Sequence, residues 1–182
     1  MMQTENRFKL SGARAIALVG LMAATVSCGK LALSFLPNIE VVTLLLALYG
    51  YVFGWYGVCA AVVFVCIEPM IYGFGPWVIT YILYWPAVAI LFMVLSKINV
   101  RKNWILTGCA VLSTLSFGVL SSIIDAAFYL GINANYPSNV LIYYARGIIF
   151  YAVQIACNTV LFLTVFKYFA KKLTLLRVNK LM

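Results

Sequence analysis

Six apolar runs, separated by short polar breaks, organise this chain. The first covers residues 11–29, is interrupted early by Arg14 and closes on Lys30. Two shorter runs, 39–54 and 57–71, meet at Gly54-Trp55-Tyr56-Gly57. Residues 77–95 follow the turn Tyr72-Gly73-Phe74-Gly75-Pro76, and residues 104–129 follow the basic loop Lys97–Lys102. The last run, 140–166, comes after a turn holding Asn133, Asn135, Pro137 and Asn139, and a lysine-rich tail follows it. A helical bilayer crossing takes ~20 mainly apolar residues. The pattern therefore predicts an all-α integral membrane protein, one domain over residues 1–182 with six transmembrane helices. The second and third runs reach membrane length only with their flanking aromatics. Pro86 predicts a kink in the fourth helix that its neighbours must compensate.

Composition removes the main alternative. Of 182 residues, 65% are hydrophobic and 9% charged, against about 45–50% and about 25% in an average soluble domain. The net charge of +9 would point to nucleic acid in a soluble protein. In a membrane protein the distribution of the charge matters more, because Lys and Arg gather in cytoplasmic loops. With the N-terminus inside, Arg7, Lys9, Arg14, Lys97, Arg101, Lys102, Lys167, Lys171, Lys172, Arg177 and Lys180 all fall on one side, with Glu5. Lys30, Arg146, Glu40, Glu68 and Asp125 fall on the other. The expected topology has both termini cytoplasmic and a slightly acidic outer end, with membrane lipid and not nucleic acid as the surrounding partner. Thr25-Val26-Ser27-Cys28-Gly29 only faintly resembles a lipoprotein cleavage box, and the apolar run exceeds a typical signal core. The first run is expected to stay as a helix.

Few chemistries survive the residue inventory. There is no histidine, which removes His bases, His metal ligands and Ser-His-Asp triads. Cys28, Cys59, Cys66, Cys109 and Cys157 form no Cys-x-x-Cys pair and read as small buried hydrophobes. A single Asp excludes a two-Asp dyad, and no phosphate-binding Gly-x-x-x-x-Gly-Lys-Ser/Thr loop is present. The expectation is a protein that is no enzyme and carries no metal or cofactor.

Ionisable groups inside a membrane are costly, so Glu40, Glu68, Asp125 and Arg146 stand out. Arg146, Phe150, Gln154 and Asn158 recur every four residues, a polar stripe that drifts ~40° per step, with Tyr143 on the same broad side. Trp77 and Tyr81 belong to an aromatic concentration in the outer half. Aromatic belts at membrane interfaces have this composition, and so do aromatic pockets with a few polar groups. The candidate ligand contacts are Glu40, Glu68, Trp77, Tyr81, Asp125, Tyr143, Arg146, Phe150 and Gln154. Small residues at Ala13, Ala17, Gly20 and Ala24 give the first helix a surface on which another helix backbone can approach closely.

The run from Gly29-Lys30-Leu31 through Pro37-Asn38-Ile39-Glu40 to Tyr51-Val52-Phe53-Gly54 resembles the first loop and second helix of substrate-binding S components of energy-coupling factor (ECF) vitamin transporters. Phe74-Gly75-Pro76-Trp77 resembles the loop before the fourth helix in some of them, although Tyr81 stands where such relatives often have Gln. The resemblance implies a six-helix bundle in the bacterial cell membrane that captures a vitamin or related micronutrient from outside with high affinity. It further implies loops 31–39, 72–76 and 132–139 over the substrate. The implied partners are a transmembrane coupling subunit, docked on Ala17, Gly20 and Ala24, and two ABC-type ATPases. Two other classes fit six apolar runs: a non-transport scaffold of the rod-shape-determining type, and a small ion-coupled transporter with Glu68 and Asp125 relaying protons.

Overall fold

The computed structural model describes residues 10–36 and 38–180, the last for its backbone only. Glu5, Arg7, Lys9 and Pro37 lie outside the described residues. The described chain is helical: α1 (Gly12–Ala32), α2 (Val42–Phe53), α3 (Trp55–Tyr72), α4 (Trp77–Lys97), α5 (Asn103–Leu130), α6 (Tyr136–Arg146), α7 (Ile148–Leu161) and α8 (Lys167–Lys180). A single π-helical turn, Phe162–Phe166, joins α7 to α8. Five segments are long and apolar enough to cross a membrane: α1, α3, α4, α5 and the continuous stretch Ile148–Asn179. Large apolar side chains such as Ile16, Leu21, Ile82, Leu112, Ile149 and Val160 cover the outside of the bundle, as in a multi-pass membrane protein whose solvent is hydrocarbon.

Helix α2 is the exception in length and in place. Its twelve residues rise only ~18 Å, against ~30 Å of bilayer hydrocarbon. Ten of the twelve are buried, because α1, α3, α4, α7, α8 and the π-turn all pack on it. A helix that is apolar on every side belongs inside a bundle. Its neighbours come close through glycine: a Cβ on Gly50 would stand 2.1 Å from the Ala89 carbonyl oxygen, and one on Gly57 would stand 2.3 Å from the Tyr49 backbone. The α2–α3 reversal is Gly54 alone, at φ 61° and ψ −124°, a conformation that disfavours any side chain. The predicted four-residue turn at 54–57 is thus one residue, and α3 begins at Trp55.

Three hydrogen bonds tie one end of the bundle together. The Leu10 amide donates to the Tyr56 hydroxyl, the Tyr51 hydroxyl donates to the Val100 carbonyl at 2.8 Å, and the Arg177 guanidinium donates to the Val52 carbonyl. This end gathers the start of α1, the α2–α3 reversal, the α4–α5 loop and α8, and with them Arg14, Lys97, Arg101, Lys102, Lys171 and Lys172. Beneath it Phe92 packs against the stacked pair Phe162 and Phe166, at ring-centroid distances of 5.5 and 5.7 Å. The π-turn releases backbone from regular pairing, and the Asn103 side-chain amide donates to the Leu163 carbonyl there at 2.8 Å.

The sixth predicted span differs most from the sequence expectation. Residues 140–166 are not one helix: α6 starts at Tyr136, stops at Arg146, and the crossing helix starts again at Ile148. At the break, Gly147 lies so close to the Tyr151 ring that a Cβ would stand 2.4 Å from its hydroxyl. The tail 167–180 continues the helix as α8, with Ala170 and Leu173 on the core. The cysteines also depart from expectation. All five are free thiols, but Cys28, Cys59 and Cys66 are exposed on the apolar outer surface of the bundle instead of buried.

Candidate ligand-binding cavity

Because α2 is short, the opposite end of the bundle has no central helix. A cavity of about 390 Å³ occupies that place, within the few hundred Å³ usual for small-molecule sites. Its floor is the first turn of α2, Val42 and Thr43, and Leu33, Ser34, Leu36, Asn38, Ile39 and Glu40 line its other side. The walls are Tyr72 from α3, Tyr81, Tyr84 and Trp85 from α4, Thr114 and Phe117 from α5, and Phe150 and Gln154 from α7. Tyr84 and Phe117 meet edge to face at 4.9 Å, and Tyr81 and Trp85 at 5.5 Å.

Two polar groupings face this space. In the first, Glu40 stands two residues ahead of α2 and accepts from the Thr43 amide at 3.0 Å and the Thr43 hydroxyl at 2.5 Å. A carboxylate is favoured here by the unpaired N–H groups and the positive end of the α2 dipole. The fully buried Asn158 of α7 donates to Glu40 at 3.2 Å and to the Thr114 hydroxyl at 3.0 Å. Two helices, α2 and α7, thereby converge on one carboxylate, and Asn158 ties it on to α5.

In the second grouping, Lys30 in the last turn of α1 forms an ion pair with Glu68. Glu68 is 1% exposed and Lys30 27%, so the acid is sealed into the bundle while the ammonium reaches the cavity. The same ammonium lies 4.5 Å from the centre of the Tyr72 ring and 5.1 Å from that of Tyr81. Among the described residues this is the one ion pair between side chains.

Of the nine residues singled out from sequence, Glu40, Tyr81, Phe150 and Gln154 line the cavity. Glu68 stands behind Lys30, and Trp77 packs edge to face on Tyr81 at 5.1 Å. Asp125, Tyr143 and Arg146 are not among the lining residues. Asp125 accepts from Ser121 at 3.2 Å on its own helix, and Arg146 lies exposed with its guanidinium 5.6 Å from the Tyr143 ring. The Gly147 break separates Arg146 from the stripe, which survives as Phe150, Gln154 and Asn158.

Lys30 is the main contributor absent from that set; the need of buried Glu68 for a cation was the signal that could have found it. Asn158 was legible as part of the stripe. Thr114 and Phe117 sit in the middle of α5 with no distinguishing pattern. Neighbouring Ser113 and Thr107, like Thr114, donate to the carbonyl four residues back, as helical Ser and Thr do anywhere.

No group of three or more metal-ligating side chains occurs among the described residues. On the α1 surface Ala17, Gly20 and Ala24 are all exposed, and a Cβ on Gly20 would meet nothing within 4 Å. Comparison with protein-family models, with curated proteins and with solved structures finds no match.

Proposed function

We propose that this chain is the substrate-binding S component of an ECF-type importer, capturing a vitamin or related micronutrient in the cavity above α2. The observation that carries the reading is the cavity itself: aromatic walls and a few fixed polar groups, lined on one side by residues of the α1–α2 connection, at the end of the bundle opposite Arg14, Lys97, Arg101, Lys102, Lys171 and Lys172. By the positive-inside tendency the basic end faces the cytoplasm of a bacterial cell and the cavity faces outward. The six crossings then consist of five long helices and α2, which spans only the inner part because protein, not lipid, surrounds it. The exposed, unobstructed small residues Ala17, Gly20 and Ala24 form the surface for the coupling subunit, which brings two ABC-type ATPases. The chain then works by binding and not by catalysis.

The test is to purify the full chain in mild detergent, denature it and identify released small molecules by mass spectrometry. A vitamin-like compound at near one-to-one ratio is expected; reproducible absence under saturating supply would overturn the reading. Replacing Gly20 by Phe is expected to abolish co-purification with a coupling subunit and its ATPases while leaving ligand retention unchanged. Normal co-purification would remove α1 as the docking surface.

A further inference from the structure

We infer that the cavity selects a flat cation, a ligand with an aromatic or heteroaromatic body and a positively charged nitrogen held against Glu40. This deepens the proposed capture function and rests on it. Charge is the first reason. The site and its immediate wall hold one cation, Lys30, and two carboxylates, Glu68 and Glu40. Lys30 is committed to Glu68, which is sealed from solvent. An anionic ligand drawing Lys30 toward itself would strand that buried carboxylate, among the most unfavourable changes available to a protein interior.

Glu40 is the second reason. All hydrogen bonds to its carboxylate among the described residues come from neutral donors, the Thr43 amide and hydroxyl and the Asn158 amide. No Lys or Arg lies within ion-pair distance of it among the described residues. The α2 N-terminus offsets only about half an elementary charge, so the cavity wall stays negative at the point where α2 begins. The third reason is the lining. Ring faces attract cations, and Lys30 already does this at Tyr72 and Tyr81. Tyr84, Trp85, Phe117 and Phe150 remain for the ligand. Trp85 lies 4.8 Å from Tyr84 and 6.2 Å from Phe117 between ring centres. Phosphates and polycarboxylates are excluded by the same arithmetic that admits a quaternary or protonated ring nitrogen.

Three compounds sharing one ring isolate the charge: 1-methylnicotinamide, a permanent cation; nicotinamide, neutral; and nicotinate, an anion. The full chain in nanodiscs is titrated with each at millimolar concentration, read by ligand-observed NMR. The cation is expected to bind about tenfold or more tightly than the anion, with the neutral ring between them. In Glu40→Gln, which keeps an acceptor for the Thr43 amide, the difference between cation and neutral ring is expected to vanish. Glu40→Asp is expected to retain part of it. Equal or tighter binding of nicotinate, or an unchanged preference in a monodisperse Glu40→Gln variant, would overturn the charge assignment and leave capture standing. Failure of all three to bind would overturn the flat-cation assignment, while capture itself stands or falls on the co-purified ligand.

Discussion

Helices α2 and α6 differ in length by one residue, twelve against eleven, and in almost everything else. Helix α2 reads Val-Thr-Leu-Leu-Leu-Ala-Leu-Tyr-Gly-Tyr-Val-Phe and is enclosed by six neighbouring segments. Helix α6 mixes Pro137, Ser138, Asn139 and Arg146 with its apolar positions, buries no residue and rests mainly on α5. The same short length thus has two meanings. In α2 it leaves a space that the rest of the bundle encloses; in α6 it leads the chain to the Gly147 break and the start of the last crossing. A short helix shapes a cavity only where others wrap its end.

Substitutions can break this contrast in order of size. Gly50→Val sets a side chain against the Ala89 backbone, and the strain of overpacking, roughly 3 kcal/mol or more, is expected to remove the monodisperse protein in size-exclusion chromatography. Lys30→Met alone strands Glu68 and is expected to cost about 3–5 kcal/mol, seen as a lowered unfolding temperature in detergent. Combined with Glu68→Leu it should recover most of that loss, and failure to recover would mean that the pair does more than neutralise itself.

Asn158→Leu removes the donor shared by Glu40 and Thr114, for an expected cost of about 1–3 kcal/mol together with weaker ligand retention. Arg146→Gln, on exposed α6, should change stability by less than about 0.5 kcal/mol and leave ligand retention intact. A large effect there would draw α6 into the site and undo the contrast.

The apolar pattern made four long helices, α1, α3, α4 and α5, legible to within a few residues, because hydrocarbon tolerates little else. It also marked the second and third runs as short, which holds for α2, while α3 reaches eighteen residues by including Trp55 and Tyr72. What it did not reveal was that α2 is encased, since periodicity has no signal in a segment that is apolar on all sides. The sixth run misled for a specific reason: Tyr136–Arg146 carries enough apolar residues to merge with the helix after Gly147, and the one-residue interruption at Gly147, packed under the Tyr151 ring one turn on, leaves no mark in the hydrophobic pattern. Within the cavity, Glu40 was legible because an acid beside an apolar run needs a purpose. The aromatic walls were legible as a class and not as individuals, since a ring at an interface and a ring in a pocket look alike until the fold sorts them.

The π-turn at Phe162–Phe166 carries a consequence for the length of the last helix. Positions 150, 154, 158, 162, 166 and 170 repeat every four residues, so on a regular helix their direction would rotate by about 200° from first to last. The wide turn absorbs about one residue, near 100° of that rotation, so that Asn158, Phe162, Phe166 and Ala170 are all buried. The helix therefore works like a two-part key with a set offset between its bits. Losing one residue within 162–166 would let the segment close as a regular α-helix with both parts in their present orientation, whereas losing one residue between 155 and 161 or between 167 and 176 would turn one part by about 100° against the other, freeing either Arg177 from Val52 or Gln154 from the cavity. Along this helix, a one-residue deletion is expected to do less harm within the π-turn than on either side of it.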